Sequence, residues 1–120
     1  MKYLLLIMMN PEIIEALSEE ERKAVFGAHE AFQAPLRESG ELVGFAALAD
    51  PSNSTTVRVR DGVPAVTDGP YVEAKEFLAG YYVVDCETTD RANELAAQLP
   101  EAALTAIEVR PVMESGGLEM

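Results

Sequence analysis

Residues Thr67–Asp85 read Thr-Asp-Gly-Pro-Tyr-Val-Glu-Ala-Lys-Glu-Phe-Leu-Ala-Gly-Tyr-Tyr-Val-Val-Asp, which joins a turn signal to a long apolar run. The Asp-Gly-Pro sequence near the start is a turn signal, and a run of unlike charges follows it. Residues Leu78–Asp85 are apolar at both odd and even positions, which is typical of a strand buried on both faces. We therefore expect this strand at the centre of a sheet, where it holds Asp68 and Lys75 beside the space that the fold encloses.

Other segments complete the predicted sheet. Residues 3–9 form a second apolar run without alternation, and a following Asn-Pro ends it after the length of a strand. Residues Leu42–Leu48 and Thr105–Arg110 predict two more strands. Asp61-Gly62 between two strand-like runs is the strongest short-range hairpin signal, so residues 55–67 predict a hairpin.

Two helices are expected between these strands. Ser18 and Glu21 have the spacing of a capping box, and the helix that they begin runs to about Ser39. Spacing of 4-3-4 places four residues of this helix on one stripe that faces the core or the sheet: Val25, His29, Phe32 and Leu36. Asp90 predicts the cap of a second helix, which runs through Leu99.

The order strand, helix, strand, hairpin, strand, helix, strand is the split βαβ pattern of an α+β, ferredoxin-like domain with an inserted hairpin. In that topology the first and third core strands lie in the middle of the sheet, and these are the two segments that are apolar on both faces. We expect residues 1–114 to form a single domain and residues 115–120 to be a flexible tail. Because two helices cover one sheet face only, we expect a homodimer in which a second copy covers the other face.

The composition excludes several classes of partner. The chain has 21 acidic and 9 basic residues and a formal charge of -12, and such a field repels nucleic-acid phosphates and anionic lipid surfaces. The apolar run Tyr3–Met9 is too short to cross a bilayer, so we expect neither a nucleic-acid nor a membrane partner. A lone cysteine, Cys86, excludes an internal disulfide and fits a reducing compartment, which favours the cytoplasm.

His29 and Asp68 are the candidate catalytic residues. Histidine is the residue type that ionises near neutral pH, and His29 is the one histidine of the chain. It is either a general acid or base at the end of a cleft, or a packed helix histidine that is satisfied inside the core. Asp68 is either the carboxylate that orients His29 or a residue that stabilises its own turn. The pair would suit proton transfer, as in lactone or enol chemistry.

Three further residues are candidates for ligand binding. Lys75 is placed to hold an anionic ligand, and the alternative is a solvated loop with weak ion pairs. Arg58 and Tyr71 either reach a cleft or belong to a solvated hairpin edge and rim. Cys86 has no activating basic neighbour close in sequence. The chain also lacks a metal-ligand spacing, a phosphate-cradling glycine loop and a nucleophile elbow, so we expect no metal and no cofactor.

Several of these residues form a pattern that resembles a known family. Asp68-Gly69-Pro70-Tyr71, Glu73-x-Lys75-Glu76 and Gly80-Tyr81-Tyr82 resemble the signature of the YCII-related proteins of the DGPF group. The resemblance covers nearly the whole chain and implies a dimeric α/β barrel with a cleft in each protomer. It matches His29 to a characteristic histidine, whereas Tyr71 stands where the family usually has phenylalanine.

The resemblance leaves two functions open, because the family is largely uncharacterised. One is a cofactor-independent isomerase or lyase that uses His29 and Asp68 as an acid–base pair on a small organic molecule. The other is a non-catalytic dimer that binds a small molecule or a protein. Some relatives are encoded beside sigma-type transcription factors, so the resemblance allows an accessory regulatory role.

Overall fold

Strands and helices alternate along the computed structural model, which describes residues 1–117. In chain order the elements are β1 (Lys2–Met9), α1 (Pro11–Ala16), α2 (Glu19–Ser39), β2 (Leu42–Ala47), β3 (Thr55–Arg60), β4 (Val63–Asp68), β5 (Phe77–Asp85), α3 (Thr89–Ala97), α4 (Glu101–Leu104) and β6 (Ala106–Pro111). A short 3-10 turn, Pro51–Asn53, precedes β3. Part of the expected tail, residues 118–120, lies outside the described residues.

Four of the strands form one antiparallel sheet in the order β2-β5-β1-β6. The two apolar runs of the sequence, β1 and β5, are therefore its central strands, as predicted, and they pair from Lys2–Asp85 to Met9–Phe77. This strand order is that of a ferredoxin-like domain. The structure thus confirms an α+β fold with antiparallel sheets, and its strand order fits a ferredoxin-like domain.

One face of the sheet is buried beneath the helices. Alternate residues of β1 are buried from Tyr3 onward, and Tyr82 and Val84 of β5 join them in the core. The helices α2 and α3 and the turn after α3 contribute further members of this core: Phe32, Leu36, Ala92, Leu95, Ala96 and Leu99. Because neighbouring side chains of a strand point to opposite faces, the intervening residues of β1 lie on the second face. That face is less covered, since Leu4 and Leu6 are only half-buried there.

The helix ends follow local hydrogen bonding, with one prediction confirmed and one wrong. The Ser18 hydroxyl accepts from the Glu21 amide and the Glu21 carboxylate accepts from the Ser18 amide, each at 3.1 Å, so the capping box forms as predicted. The cap of α3 is Thr88 rather than Asp90, because the Thr88 hydroxyl accepts from the Arg91 amide at 3.1 Å. No helix among residues 1–117 is long and apolar enough to span a membrane.

The α1 helix was not expected, although its start carries two recognised signals. The Asn10 side chain accepts a hydrogen bond from the Glu12 amide at 2.9 Å, and Pro11 occupies the first helical position. An Asn cap followed by proline favours a helix start. The Asn-Pro pair therefore ends β1 and begins a helix at the same point.

The hairpin of β3 and β4 forms a separate two-stranded sheet. Its turn has positive φ at both central residues, 51° at Asp61 and 76° at Gly62, as a type I′ turn requires. Every residue of β4 is exposed. At its base, the Gly69 amide donates to the Ser54 carbonyl at 2.7 Å and the Thr56 hydroxyl donates to the Gly69 carbonyl at 2.9 Å.

Candidate functional site

A cavity of about 220 Å³ lies between α2 and the β2–β5 side of the sheet. Its wall is mostly apolar and is built from five elements: Ile7 of β1, Phe26, His29 and Gln33 of α2, residues 45–47 of β2, residues 79–82 of β5 and Glu101 of α4. An apolar concavity with a few convergent polar groups is the usual form of a small-molecule site. The cavity is therefore the leading candidate for a functional site.

His29 is hydrogen-bonded through both ring nitrogens. Its Nδ1 lies 2.8 Å from the Tyr82 hydroxyl oxygen, and its Nε2 lies 2.7 Å from Oε2 of Glu101. The imidazole is 18% exposed and the Glu101 side chain 10% exposed, so the pair is shielded without being sealed. The helical stripe predicted from the sequence does direct His29 towards the sheet, where the central strand β5 presents Tyr82.

A chain of hydrogen bonds fixes which side chains donate and which accept around His29. Arg37 can only donate, and its Nη2 lies 3.1 Å from Oε1 of Gln33. The Gln33 amide nitrogen therefore donates to the Tyr82 hydroxyl, at 3.0 Å. The Tyr82 proton is then directed to Nδ1 of His29, and a neutral His29 carries its own proton on Nε2, which donates to Glu101. Five side chains thus specify one tautomer of His29.

Burial raises the pKa of the Tyr82 phenol, which therefore stays protonated to a higher pH than an exposed tyrosine. Loss of solvent raises the pKa of Tyr82, and the Glu101 carboxylate raises that pKa further, against the lowering effects of the Gln33 hydrogen bond and of Arg37. The Tyr82 ring is fixed by an edge contact with Phe32, at 4.9 Å between centroids and 64° between planes. Tyr82 is therefore a rigidly held proton donor.

Glu101 is the buried carboxylate that is hydrogen-bonded to His29. It is a buried acidic residue, 7% exposed, in the first turn of α4. Its Oε2 pairs with His29, while Oε1 is buried and has no hydrogen-bond partner among residues 1–117. An incompletely paired buried carboxylate is costly, and a group of this kind in a native structure calls for an explanation, of which a functional role is one.

Two exposed phenylalanines and one glycine shape the cavity. Phe26 is 69% exposed and Phe45 is 50% exposed, although both contribute to the wall. Gly80 lies at the point where β5 and β2 approach closely, and a Cβ there would lie 2.7 Å from the carbonyl oxygen of Ala46. Since a backbone atom cannot simply move aside, the close approach of these two strands requires glycine at this position.

The structure does not bring Asp68 to His29 within the chain. Asp68 ends β4, is exposed and is not part of the cavity wall. Both ring nitrogens of His29 are occupied by other groups, so the carboxylate beside His29 is Glu101 in place of the expected Asp68. The sequence offered little sign of this, because the four-residue α4, which begins at Glu101, was not expected.

The predicted ligand-binding residues also lie outside the cavity, although two of them meet. The guanidinium carbon of Arg58 lies 5.3 Å from the centroid of the Tyr71 ring, a cation–π contact at an exposed position. Lys75 is exposed in the loop between β4 and β5. Other residues of that loop, among them Glu73 and Glu76, line a wide open groove of about 850 Å³. Ligand binding by Arg58, Tyr71 and Lys75 stays a prediction.

Cys86 is an unfavourable nucleophile in this environment. Its thiol is buried, and burial together with the nearby Glu41 carboxylate raises its pKa. Reactive cysteines have a lowered pKa. Cys86 therefore does not fit the role of a nucleophile.

Comparison with known proteins agrees with the resemblance seen in the sequence. The model of the YCII-related domain matches residues 1–115. The chain belongs to the YCII-related domain family. The chain is also similar to an uncharacterized protein of Rhizobium meliloti (strain 1021). The two sequences are 34% identical over 114 residues, which cover 93% of this chain and 92% of the relative. The matched residues thus include the four-stranded sheet, the helices and the wall of the cavity.

Proposed function

We propose that this YCII-related domain is a cofactor-independent acid–base enzyme that acts on a small organic molecule in the His29 cavity. The observation that carries the proposal is the hydrogen-bonded series Glu101–His29–Tyr82 at the wall of an apolar cavity. A base whose second nitrogen is held by a carboxylate is the arrangement by which proteins orient histidine for proton transfer. Glu101 takes the orienting role that the sequence suggested for Asp68.

The series provides a balanced route for one proton. A C–H or O–H group of the substrate placed at the Tyr82 oxygen gives its proton to that oxygen, while the Tyr82 proton moves to Nδ1 of His29. The imidazolium that results donates through Nε2 to the Glu101 carboxylate, which stabilises the positive charge. Reversal of these steps at another atom of the same substrate completes an isomerisation. Loss of a leaving group from the carbanion or enolate gives the corresponding lyase reaction, in which the leaving group takes up the proton that returns from His29 through Tyr82.

Proton exchange tests the proposal without knowledge of the natural substrate. A panel of small ketones, lactones and enolisable acids is incubated with the protein in deuterium oxide, and loss of the α-hydrogen signal is followed by proton NMR. We expect faster exchange for at least one compound, and a decrease of about 10²- to 10⁴-fold in His29→Gln, the range typical of acid–base residues.

The control for this experiment is Gln98→Glu, which changes an exposed polar residue at the end of α3, away from the cavity wall. It should leave the exchange rate as in the unaltered protein. Exchange that is equal in the unaltered protein and in a folded His29→Gln variant would contradict acid–base catalysis by His29.

A second candidate function is non-catalytic binding of a small molecule or a protein by an accessory dimer. The observation that favours it is that both nitrogens of His29 already have partners inside the chain, as in histidines with a structural role. In that case a compound that binds in the cavity would show no proton exchange. The His29→Gln variant would then differ from the unaltered protein only in its affinity for that compound.

We also propose that two copies pair through the less covered face of the sheet. Leu4, Leu6 and Met8 are only half-buried there, and Leu78 is 36% exposed on the adjacent strand. A contiguous apolar surface of this kind favours an interface. Sedimentation at micromolar concentration should give twice the chain mass of 13.0 kDa. A particle of 13.0 kDa would rule out the dimer while leaving the cavity proposal intact.

A further inference from the structure

The wall of the His29 cavity has an unusual charge composition. Twelve residues among 1–117 line it; of these, Glu101 is the one carboxylate, and none is a lysine or an arginine. Within this set, His29 is the residue whose type can become a cation near neutral pH. Its charge would already be matched by Glu101, whose Oε2 lies 2.7 Å from Nε2. An anion that entered the cavity would therefore meet no free positive charge.

Arg37, the basic residue of the hydrogen-bonded chain, does not alter this balance. It is exposed on α2, it donates to Gln33, and it does not belong to the cavity wall. The formal charge of -12 on the chain adds a repulsive field at longer range. Both the local and the overall electrostatics thus disfavour a carboxylate or phosphate ligand.

A cationic ligand is also poorly matched. One oxygen of Glu101 is occupied by His29, and the other is buried, so neither can accept from a ligand without rearrangement. The rest of the wall is largely apolar, including the rings of Phe26 and Phe45. Transfer of a charged group from water into such surroundings is expensive unless it is paired.

We infer that the substrate class of this cavity is an uncharged, largely apolar molecule about the size of one aromatic ring, and that Glu101 excludes anions. The inference rests on the proposed function, since it concerns the same cavity. A volume of about 220 Å³ lies just below the usual range of ligand pockets, about 300–1,000 Å³, which favours a small molecule. The Tyr82 hydroxyl and the Gln33 amide provide hydrogen bonds that an uncharged carbonyl or hydroxyl group can use.

Three probes of matched shape test the charge class directly: benzamide, benzoate and benzamidinium. Their binding to the full chain at pH 7 is measured by NMR titration, with the side-chain signals of His29 and Tyr82 as reporters of the cavity. We expect benzamide to bind at least about tenfold more tightly than either charged probe. Benzoate would meet the like charge of Glu101, whereas benzamidinium would lose its hydration in an apolar wall where neither oxygen of Glu101 is free to accept.

Two variants test the role of Glu101. Glu101→Gln removes one negative charge at the cavity and keeps the shape of the side chain. The matched control is Glu30→Gln, which removes the same charge from the exposed residue next to His29 on α2. We expect Glu101→Gln to strengthen benzoate binding about tenfold relative to benzamide, and Glu30→Gln to leave that ratio nearly unchanged. If Glu101→Gln does not fold, the probe series on the unaltered protein still decides the charge class.

The outcomes separate this inference from the proposal on which it rests. Benzoate or benzamidinium bound at His29 as tightly as benzamide would overturn the uncharged class and leave an acid–base cavity in place. Equal effects of Glu101→Gln and Glu30→Gln on the benzoate ratio would overturn the role of Glu101. No response of His29 and Tyr82 to any probe at millimolar concentration would overturn both the inference and the cavity as a ligand site.

Discussion

The His29 cavity and the β3–β4 hairpin differ in how far their polar residues are buried and hydrogen-bonded to one another. At the cavity, five side chains from α2, β5 and α4 form one continuous hydrogen-bonded chain, and its central members are largely buried. On the hairpin and the loop after it, Asp68, Tyr71 and Lys75 are exposed. The density of charged and turn residues in the sequence is greater in the second region. The contrast teaches that a conspicuous motif indicates where the chain turns, whereas chemistry requires groups that are shielded from water and held together.

Among the substitutions that test this contrast, Tyr82→Phe is expected to have the largest effect on proton exchange. The change removes the hydroxyl that joins Gln33 to His29 and interrupts the proposed proton route, so we expect proton exchange to fall about 100-fold. Tyr71→Phe is the matched control, because Tyr71 is 75% exposed and lies outside the cavity wall, so the loss of its hydroxyl should change the rate little. Similar rates for both variants would show that Tyr82 has no part in the chemistry.

The next effect concerns stability at the cavity. Gly80→Ala places a Cβ 2.7 Å from the Ala46 carbonyl oxygen, so β2 and β5 must move apart, and we expect a loss of about 2 kcal/mol in the free energy of unfolding. Gly44→Ala in β2 is the control, since an added Cβ there meets no atom within 4 Å. Urea unfolding of both variants measures the difference. A Gly80→Ala variant as stable as Gly44→Ala would mean that the strand approach is not rigid.

A smaller effect is expected on the hairpin. Asp68→Asn keeps the shape of the side chain at an exposed position, so we expect its effect on proton exchange to be at least about tenfold smaller than that of Glu101→Gln, which removes the carboxylate paired with His29. The two exchange rates are compared under the same conditions. If Asp68→Asn is the more damaging change, a second copy must bring Asp68 to the cavity, and the contrast between the two regions fails.

The smallest effect is a dependence of stability on alkaline pH. The pKa of Tyr82 is raised in the folded chain, chiefly by burial, above its ordinary value of 10.0. The folded state therefore retains this proton longer than the unfolded state, so the contribution is fully present below pH 10 and is lost as pH rises through the folded pKa. Chemical denaturation between neutral pH and about pH 11 should show a steeper alkaline loss in the unaltered protein than in Tyr82→Phe. Equal slopes would contradict the raised pKa.

Much of the fold could be predicted because it depends on short-range patterns. The apolar runs of β1 and β5 indicated the central strands, Ser18 and Glu21 indicated a helix start, and Asp61-Gly62 indicated the hairpin turn. The α1 helix was missed and the cap of α3 was misplaced by two residues, from Thr88 to Asp90, because several polar residues near one helix start can serve as its cap.

The sequence by itself determined that His29 lies on the apolar stripe of α2 and faces the sheet, since helical periodicity places it there. The identity of its partners was decided only by the tertiary structure. Tyr82 and Glu101 are 53 and 72 residues away from His29 along the chain, and no local pattern relates positions so far apart. The carboxylate beside the histidine is set by how α4 packs against the end of the sheet, which is why the conspicuous Asp68 was expected there and the inconspicuous Glu101 was found.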